Sequence, residues 1–452
     1  MLSQEENELL TRVGPGTPMG NLLRRYWIPA CLSDEVEADA SPLRVRLLGE
    51  DLVAFRDTNG QVGLVDQACP HRGASLYFGR NEDCGLRCVY HGWKFDTAGQ
   101  CVDMPSEPRP FADRIQVPSY PTHESGGLVW TYMGPKETMT PFRDFGSESI
   151  PKDQWVAGKT HSPCNWVQSM EGNLDSAHIS FLHQYFAIGD IPDDGTDTPG
   201  YPSNLMSMKF WRHDKSPRFE MEEDWYGYRY AAVRTTPNGH KHVRINGFII
   251  PFGTTVARVP FGASQGMFIP IDDENCWRYF VNMQPTANPR GLGGGGYQTD
   301  PNWPYGTFGG GGRSRGGFGG IRQRQYTADN EYGIDRDMQK RGSFTGIPDF
   351  GSQDFMVTES MGPIYDRTKE HLGTTDTPIN RMRRLLIDAA RALAEGKDIP
   401  ALAGVEGHDF TNIRSAEKIL EPGEDWKILG KHEDPTVQES MKALEEASLS
   451  SR

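Results

Sequence analysis

Apolar positions between Leu43 and Trp130 recur in short runs broken by turn residues, the pattern of strands rather than of helices. "LRVRLLGEDLVAFRDTNGQVGLVD" holds two alternating runs joined around Asn59-Gly60, a dipeptide that favours the tight turn of a hairpin. "GGLVWTYMG" closes the region as one more strand, so residues 40–135 are read as a small all-β domain. Ahead of it, "SQEENELLTRV" is amphipathic and predicts a helix that "GPGTPMG" interrupts, which makes 1–39 an N-terminal helical segment.

After the linker-like "GPKETMTPF", residues 145–430 mix helix and strand signals. "NWVQSMEGNLDSAHISFLHQYF" (165–186) predicts a helix, while "RFEMEEDWYGYRYAAVRTT", "HVRINGFIIPFG" and "NCWRYFVNMQP" predict strands rich in aromatic and β-branched residues. "TDTPINRMRRLLIDAARALAEG" predicts a helix that Asp376 or Thr377 caps, Pro378 opens and Gly396 ends. Its stripe of Ile379, Met382, Leu386, Ala389 and Leu393 belongs to a core. Residues 291–320 are nearly half glycine but carry no P-loop lysine, so they are read as a mobile surface insertion and not as a phosphate site.

Charge and length narrow the class. The 452 residues suffice for two or three domains, and a net charge of −14 repels nucleic acid. No run of eighteen apolar residues exists, so no membrane span is expected. The opening "MLSQEENELL" is acidic where a secretory signal is basic and then apolar, so a cytoplasmic location is expected. The seven cysteines, an odd number, make no disulfide framework; four of them fall between Cys69 and Cys101, which points to metal.

"CPHRGASLYFGRNEDCGLRCVYHGWKFD" contains C-x-H-x16-C-x2-H, made of Cys69, His71, Cys88 and His91. Two Cys and two His can hold zinc, but structural zinc knuckles usually pair Cys with Cys in one loop. One Cys and one His per loop suits a [2Fe–2S] cluster with two thiolates on one iron and two imidazoles on the other, as in Rieske centres. Gly73 and Gly92 allow backbone close to sulfur and Pro70 stiffens the first loop. Cys84 and Cys101 lie outside the pattern and are read as small buried residues.

A second constellation, "EGNLDSAHISFLH", offers Asp175, His178 and His183. Asp175 and His178 share a face of the expected helix, whereas two histidines five apart meet at one ion only if that helix distorts or ends between them. Two imidazoles and a later carboxylate would form the facial triad of mononuclear Fe(II).

In this order the two constellations resemble the oxygenase component of Rieske non-haem iron oxygenases. The cysteine segment, "CNWVQSMEGNLDSAHISFLH" and "QDFMVTESMGPIYDRTKEHLG" resemble the phthalate-dioxygenase branch, over most of the chain. The resemblance implies an α+β protein: an all-β Rieske domain and a helix-grip catalytic domain, an antiparallel sheet with helices. It also implies homotrimers assembled head to tail, which can stack as hexamers. Asp349, Asp354, Glu359 and Asp366 compete as the third iron ligand, and only Asp354 falls where the family motif has its carboxylate. By the same resemblance, Asp175 bridges His91 of one subunit and His178 of its neighbour, and a reductase, with or without a separate ferredoxin, supplies electrons. Read from residues alone, Asp175 could instead cap a helix or support a ligand from behind.

Phthalate-type enzymes grip carboxylates with arginine, whose planar fork matches that group. Arg244 alternates with Asn246 and Phe248 on its strand and is the first candidate; Arg234 is the second, and either could be an ordinary strand arginine. "PSNLMSMKFWRHDK" supplies no upstream arginine partner, so plain phthalate is disfavoured. The expected reaction is O2-dependent hydroxylation of an aromatic acid, a phthalate-like compound or substituted benzoate. The alternative is O-demethylation of a methoxylated aromatic or biaryl acid by the same machinery. A Rieske electron carrier would leave Asp175, His178 and His183 without a role, and a structural zinc protein would be colourless.

Overall fold

The computed structural model describes residues 1–147, 155–186, 199–200, 204–257, 263–283, 320–321, 324–435, 437–439 and 442. The glycine-rich stretch 291–320 lies, apart from Gly320, outside the described residues. No helix among them is long and apolar enough to cross a membrane.

The segment 1–39 carries helices α1 (Gln4–Thr11) and α2 (Pro18–Leu23), but it ends in a strand, β1 (Trp27–Leu32). Ser3 and Glu6 form a reciprocal cap on α1. The expectation of two runs between Leu43 and Asp66 is corrected to three strands: β2 (Leu43–Leu47), β3 (Glu50–Arg56) and β4 (Val62–Asp66). A turn at Leu48-Gly49 divides the first run, with Leu48 at a φ of 50° that bulky residues seldom adopt. The Asn59-Gly60 turn joins β3 to β4. Four short strands follow: β5 (Arg80–Asn81), β6 (Leu86–Arg87), β7 (Lys94–Phe95) and β8 (Cys101–Asp103). They form one sheet in chain order, above a small core of Val53, Phe55, Leu76, Leu86, Trp93 and Phe95. Next come β9 (Ser119–Tyr120), which extends the β2–β3–β4 sheet, then β10 (Thr122–Ser125) and β11 (Leu128–Tyr132). β1 pairs with β11, so the N-terminal segment is built into this region.

The remainder is organised on a nine-stranded sheet. Its strands are β12 (Trp155–Ser162), β13 (Arg218–Asp224), β14 (Gly227–Thr235), β15 (Lys241–Ile249), β16 (Gly253–Thr255), β17 (Ala263–Pro270), β18 (Cys276–Met283), β19 (Gly320–Ile321) and β20 (Ala416–Ile419). Every pairing is antiparallel except the short β12–β19 contact. Three helices matter for the site: α3 (Trp166–Leu174), α6 (Phe350–Ser360) and α7 (Thr377–Ala394), with α4 (Asn204–His213) and α5 (Arg336–Arg341) between the first two. In α7 the stripe of Ile379, Met382, Leu386 and Ala389 is buried as expected, but Asp376 precedes it without a side-chain cap.

Apolar side chains from α1, α2, β1, β11, α3, the large sheet and α7 form one continuous core. A buried ionic knot ties α3 to α7: Glu171 accepts from Arg367 (3.0 Å) and Arg383 (2.7 Å), and Arg383 also pairs with Glu370. The expected helix over 165–186 is corrected here. Regular helix stops at Leu174, and after Asp175 the chain turns through a single 3₁₀ turn, His178–Ser180.

Candidate metal centres

The Cys69 and Cys88 loops repeat one hydrogen-bond plan. Cys69 N–H donates to Ala74 O (2.9 Å) and Gly73 N–H to Cys69 O (2.8 Å); Cys88 N–H donates to Trp93 O (2.8 Å) and Gly92 N–H to Cys88 O (3.0 Å). Gly73 and Gly92 take φ of 74° and 78°, and a Cβ on Gly92 would stand 2.8 Å from Pro105 Cγ, so side-chain-free residues are needed there. The matched loops bury both cysteines and leave both histidines half-buried at the rim. His71 and His91 have ring centroids 4.3 Å apart, and Trp93 lies flat on His71. Burial pushes the Cys69 thiol up to about 11, against the opposing pull of the His71 and Arg72 backbone N–H groups.

These four donors do not converge on one point. Among the described residues, only His178, His183 and Asp354 bring three donor atoms within 4.8 Å of one another. A tetrahedral zinc would hold its four donors about 3.3–3.8 Å apart. The loops instead set thiol beside thiol and ring beside ring, which fits a two-iron cluster with one ligand type per iron. His91 Nδ1 is buried and has no hydrogen-bond partner among the described residues. Cys101 is buried as expected, but Cys84 is only half-buried, in a left-handed turn where its sulfur accepts from Asn59 Nδ2.

At the second constellation, the end of α3 solves the spacing problem. Asp175 is the residue that caps it, extended at φ −65° and ψ 128°, and its side chain accepts from Ala177 N–H (2.6 Å). Asp175 and His178 therefore do not share a helix face; they meet across this turn, with His178 Nδ1 3.5 Å from Asp175 Oδ2. The turn brings His178 Nε2 to 3.3 Å from His183 Nε2. Asp354 Oδ1, projecting from α6, lies 3.5 Å from the first and 3.2 Å from the second. Burial pushes the Asp354 carboxyl up, but His183 and His178 outweigh it and hold the group below its usual range. Two ring nitrogens and a carboxylate oxygen facing one another fit a divalent ion.

The competing acids are engaged elsewhere. Asp349 caps α6, Glu359 pairs with Arg324 (2.6 Å), and Asp366 pairs with Lys369 (2.9 Å). Sequence reasoning missed Gln353, which is fully buried and whose Oε1 lies 2.8 Å from His183 Nδ1. A buried glutamine beside an acid in "SQDFM" carries no sequence signal of that role.

Arg244 and Arg234 are both buried. Arg244 lies over the Trp211 ring at 4.9 Å, and its charge reaches His178, where it opposes protonation. Arg234 commits one nitrogen, Nη2, to the turn that carries His178, donating to Ser176 O (2.8 Å) and Ser180 Oγ (3.2 Å), and its Nε donates to Asp214 O (3.1 Å) just after α4. Asn246, expected beside Arg244, donates to Tyr230 Oη (3.2 Å) and accepts from Ala257 N–H (2.8 Å).

Two family models match: a Rieske [2Fe-2S] domain over residues 26–121 and a LigXa C-terminal domain like family over residues 131–450. The chain is 36% identical over 439 residues to the oxygenase subunit of phthalate 4,5-dioxygenase from Pseudomonas putida, covering 94% of each chain. It is 36% identical over 443 residues to that of 3-chlorobenzoate-3,4-dioxygenase from Comamonas testosteroni, covering 94% of this chain and 97% of the other. The terminal oxygenase of carbazole 1,9a-dioxygenase from Nocardioides aromaticivorans IC177 shares the fold, with a TM-score of 0.54 at 17% identity over 85% of this chain and 97% of that one.

Proposed function

This chain belongs to the oxygenase (alpha) subunits of Rieske non-haem iron oxygenases, and we propose that within them it hydroxylates the ring of an anionic aromatic acid, with O2 and electrons from a separate reductase. The observation that carries this reading is the convergence of His178, His183 and Asp354, with Asp175 directly behind His178. Cys69 and Cys88 would hold one iron of the cluster, His71 and His91 the other, and the triad a single ferrous ion. When bound, the two centres supply single-electron relay and O2 activation.

The chain's own groups do the positioning. Asp175 Oδ2 stands 3.5 Å behind His178 Nδ1 and Gln353 accepts from His183 Nδ1, so both rings turn Nε2 toward the ion. Arg244 grips the substrate carboxylate, since an unpaired carboxylate in an apolar pocket costs several kcal/mol. Within the chain His91 packs on His71 and Tyr90, while Asp175 faces His178 and accepts from Ala177 N–H. By the family resemblance the copies assemble as a head-to-tail homotrimer, in which Asp175 links His178 to His91 of a neighbouring copy. The test is purified protein with iron, a Rieske-oxygenase reductase, NADH and 18O2 over a panel of benzoates. Labelled hydroxy acids are expected; O2 consumption that no aromatic acid alters would refute the proposal.

A further inference from the structure

Three adjacent strands assemble a charged cluster that the triad does not use. Arg234 on β14 faces His242 on β15, and Arg244 on β15 faces Glu417 on β20. The period of two places these four on one face of the sheet, while Val233, Val243 and Ala416 pack into an apolar cluster on the other. All four are buried, none more than 6% exposed. Glu417 Oε1 is 2.8 Å from His242 Nε2, and Oε2 is 3.4 Å from Arg244 Nε.

The charges do not cancel. Burial pulls His242 down, so it is neutral, whereas Arg244 and His242 overcome burial to hold Glu417 at about 2, so it is ionised. Burial and the Arg244 charge lower Arg234 to about 9, which still leaves it protonated at neutral pH. Among the four buried groups, two cations and one anion leave a single positive charge. Asp214, half-buried at the edge, is a further anion that acts on Arg234 from the rim, where its carboxylate oxygens also accept from Thr235 N–H and Ser216 N–H. Asp175 and Asp354 would offset a divalent ion in the triad. Arg234 Nη1 has no partner among the described residues, and Arg244 Nε makes no hydrogen bond.

We infer that Glu417 is a specificity-determining residue that sets the charge of the substrate: by neutralising one of two buried arginines, it tunes the site to a monoanionic aromatic acid and against a dianion. This rests on the aromatic-acid reading of the site. A second carboxylate would have to sit beside Glu417 with no cation left to meet it, and like charges at short range in a poorly solvated site repel strongly.

Phthalate and 2-nitrobenzoate have nearly the same shape and differ by one charge, so anaerobic calorimetry of both on the holoenzyme tests the inference. The wild type should bind 2-nitrobenzoate at least about tenfold more tightly than phthalate. Glu417→Gln should shrink or reverse that ratio, and Glu417→Asp, which keeps the charge, should preserve it. A wild type that prefers phthalate overturns the inference even if Glu417→Gln fails to fold, as does a ratio that Glu417→Gln leaves unchanged. If neither acid binds the wild type, the aromatic-acid reading falls with it; if 2-nitrobenzoate binds but the ratio ignores Glu417, only the inference falls.

Discussion

His183 donates from Nδ1 to Oε1 of Gln353 across 2.8 Å, and the glutamine is itself pinned by donating from Nε2 to Ile347 O (2.9 Å) and Tyr185 Oη (3.2 Å). With its amide orientation fixed from the far side, Gln353 can only accept from His183. That selects the tautomer whose Nε2 lone pair faces His178 and Asp354.

Gln353→Leu should therefore weaken ferrous iron binding by about 10–100-fold, the usual cost of losing such an orienting partner. Iron retained after dialysis against a graded chelator measures it. The visible spectrum of the cluster should not change, because Gln353 contacts only the second site. Iron retention equal to wild type would show that Phe350, stacked on the His183 ring at 3.6 Å, holds the ring unaided.

The two centres should be separable. His183→Ala should lose the mononuclear iron and all turnover while keeping two irons and two acid-labile sulfides per chain in the cluster. Cys88→Ser should do the reverse, bleaching the cluster while the triad still binds iron. Oxygenase activity in His183→Ala would rule out the triad assignment.

Asp175→Asn keeps the shape of the cap on α3 but removes the charge-assisted contact to His178 Nδ1. Both centres should still load and the cluster should still reduce, yet turnover should fall by orders of magnitude. The decisive quantity is the rate of cluster re-oxidation in a single turnover with substrate and O2. A rate near that of wild type would remove Asp175 from the path between subunits.

The cysteine loops were the most legible part of the sequence, because Cys69, His71, Cys88 and His91 sit in two short segments whose geometry is local. Asp354 is read only through a family resemblance, since its nearness to His183 is made by the tertiary placement of α6. The break after Leu174 was visible only as a conflict between histidine spacing and helix period, and the chain resolves it with an Asx turn at Asp175. Glu417 was invisible for the same reason as Gln353: its partner, Arg244, is far away in sequence and is reached by the β15–β20 pairing.

The knot around Glu171 predicts how the fold responds to acid. Burial raises this carboxyl, but Arg367 and Arg383 outweigh it and hold the group below its ordinary range. Its contribution to stability is thus fully present above the unfolded carboxylate range, near pH 4–5, and is lost as pH falls through the lower folded value. Glu171→Ala leaves two buried guanidiniums short of a partner and should cost about 3–5 kcal/mol. Urea unfolding at pH 7 and pH 4 checks both points: the gap between wild type and variant should narrow at the lower pH only once Glu171 begins to protonate.

Arg244 carries the most exposed prediction, because its guanidinium meets Glu417, the carbonyl of Ala257 (3.3 Å) and the face of Trp211 at once. Arg244→Ala should raise KM for an aromatic acid by the equivalent of about 2–5 kcal/mol, the cost of breaking a buried charge pair. It also leaves Glu417 opposed only by Arg234, which removes the net positive charge that attracts an anion. Arg244→Lys should recover little, since a compact ammonium cannot lie flat on Trp211 while offering a planar fork to a substrate carboxylate. General damage to the sheet would lower kcat and iron content together. The expected signature is instead a KM effect on acids, with the neutral amide of the same ring binding as it does to wild type. Efficient turnover of a neutral hydrocarbon such as naphthalene, indifferent to Arg244→Ala, would mean that the buried arginines serve the sheet and not the substrate.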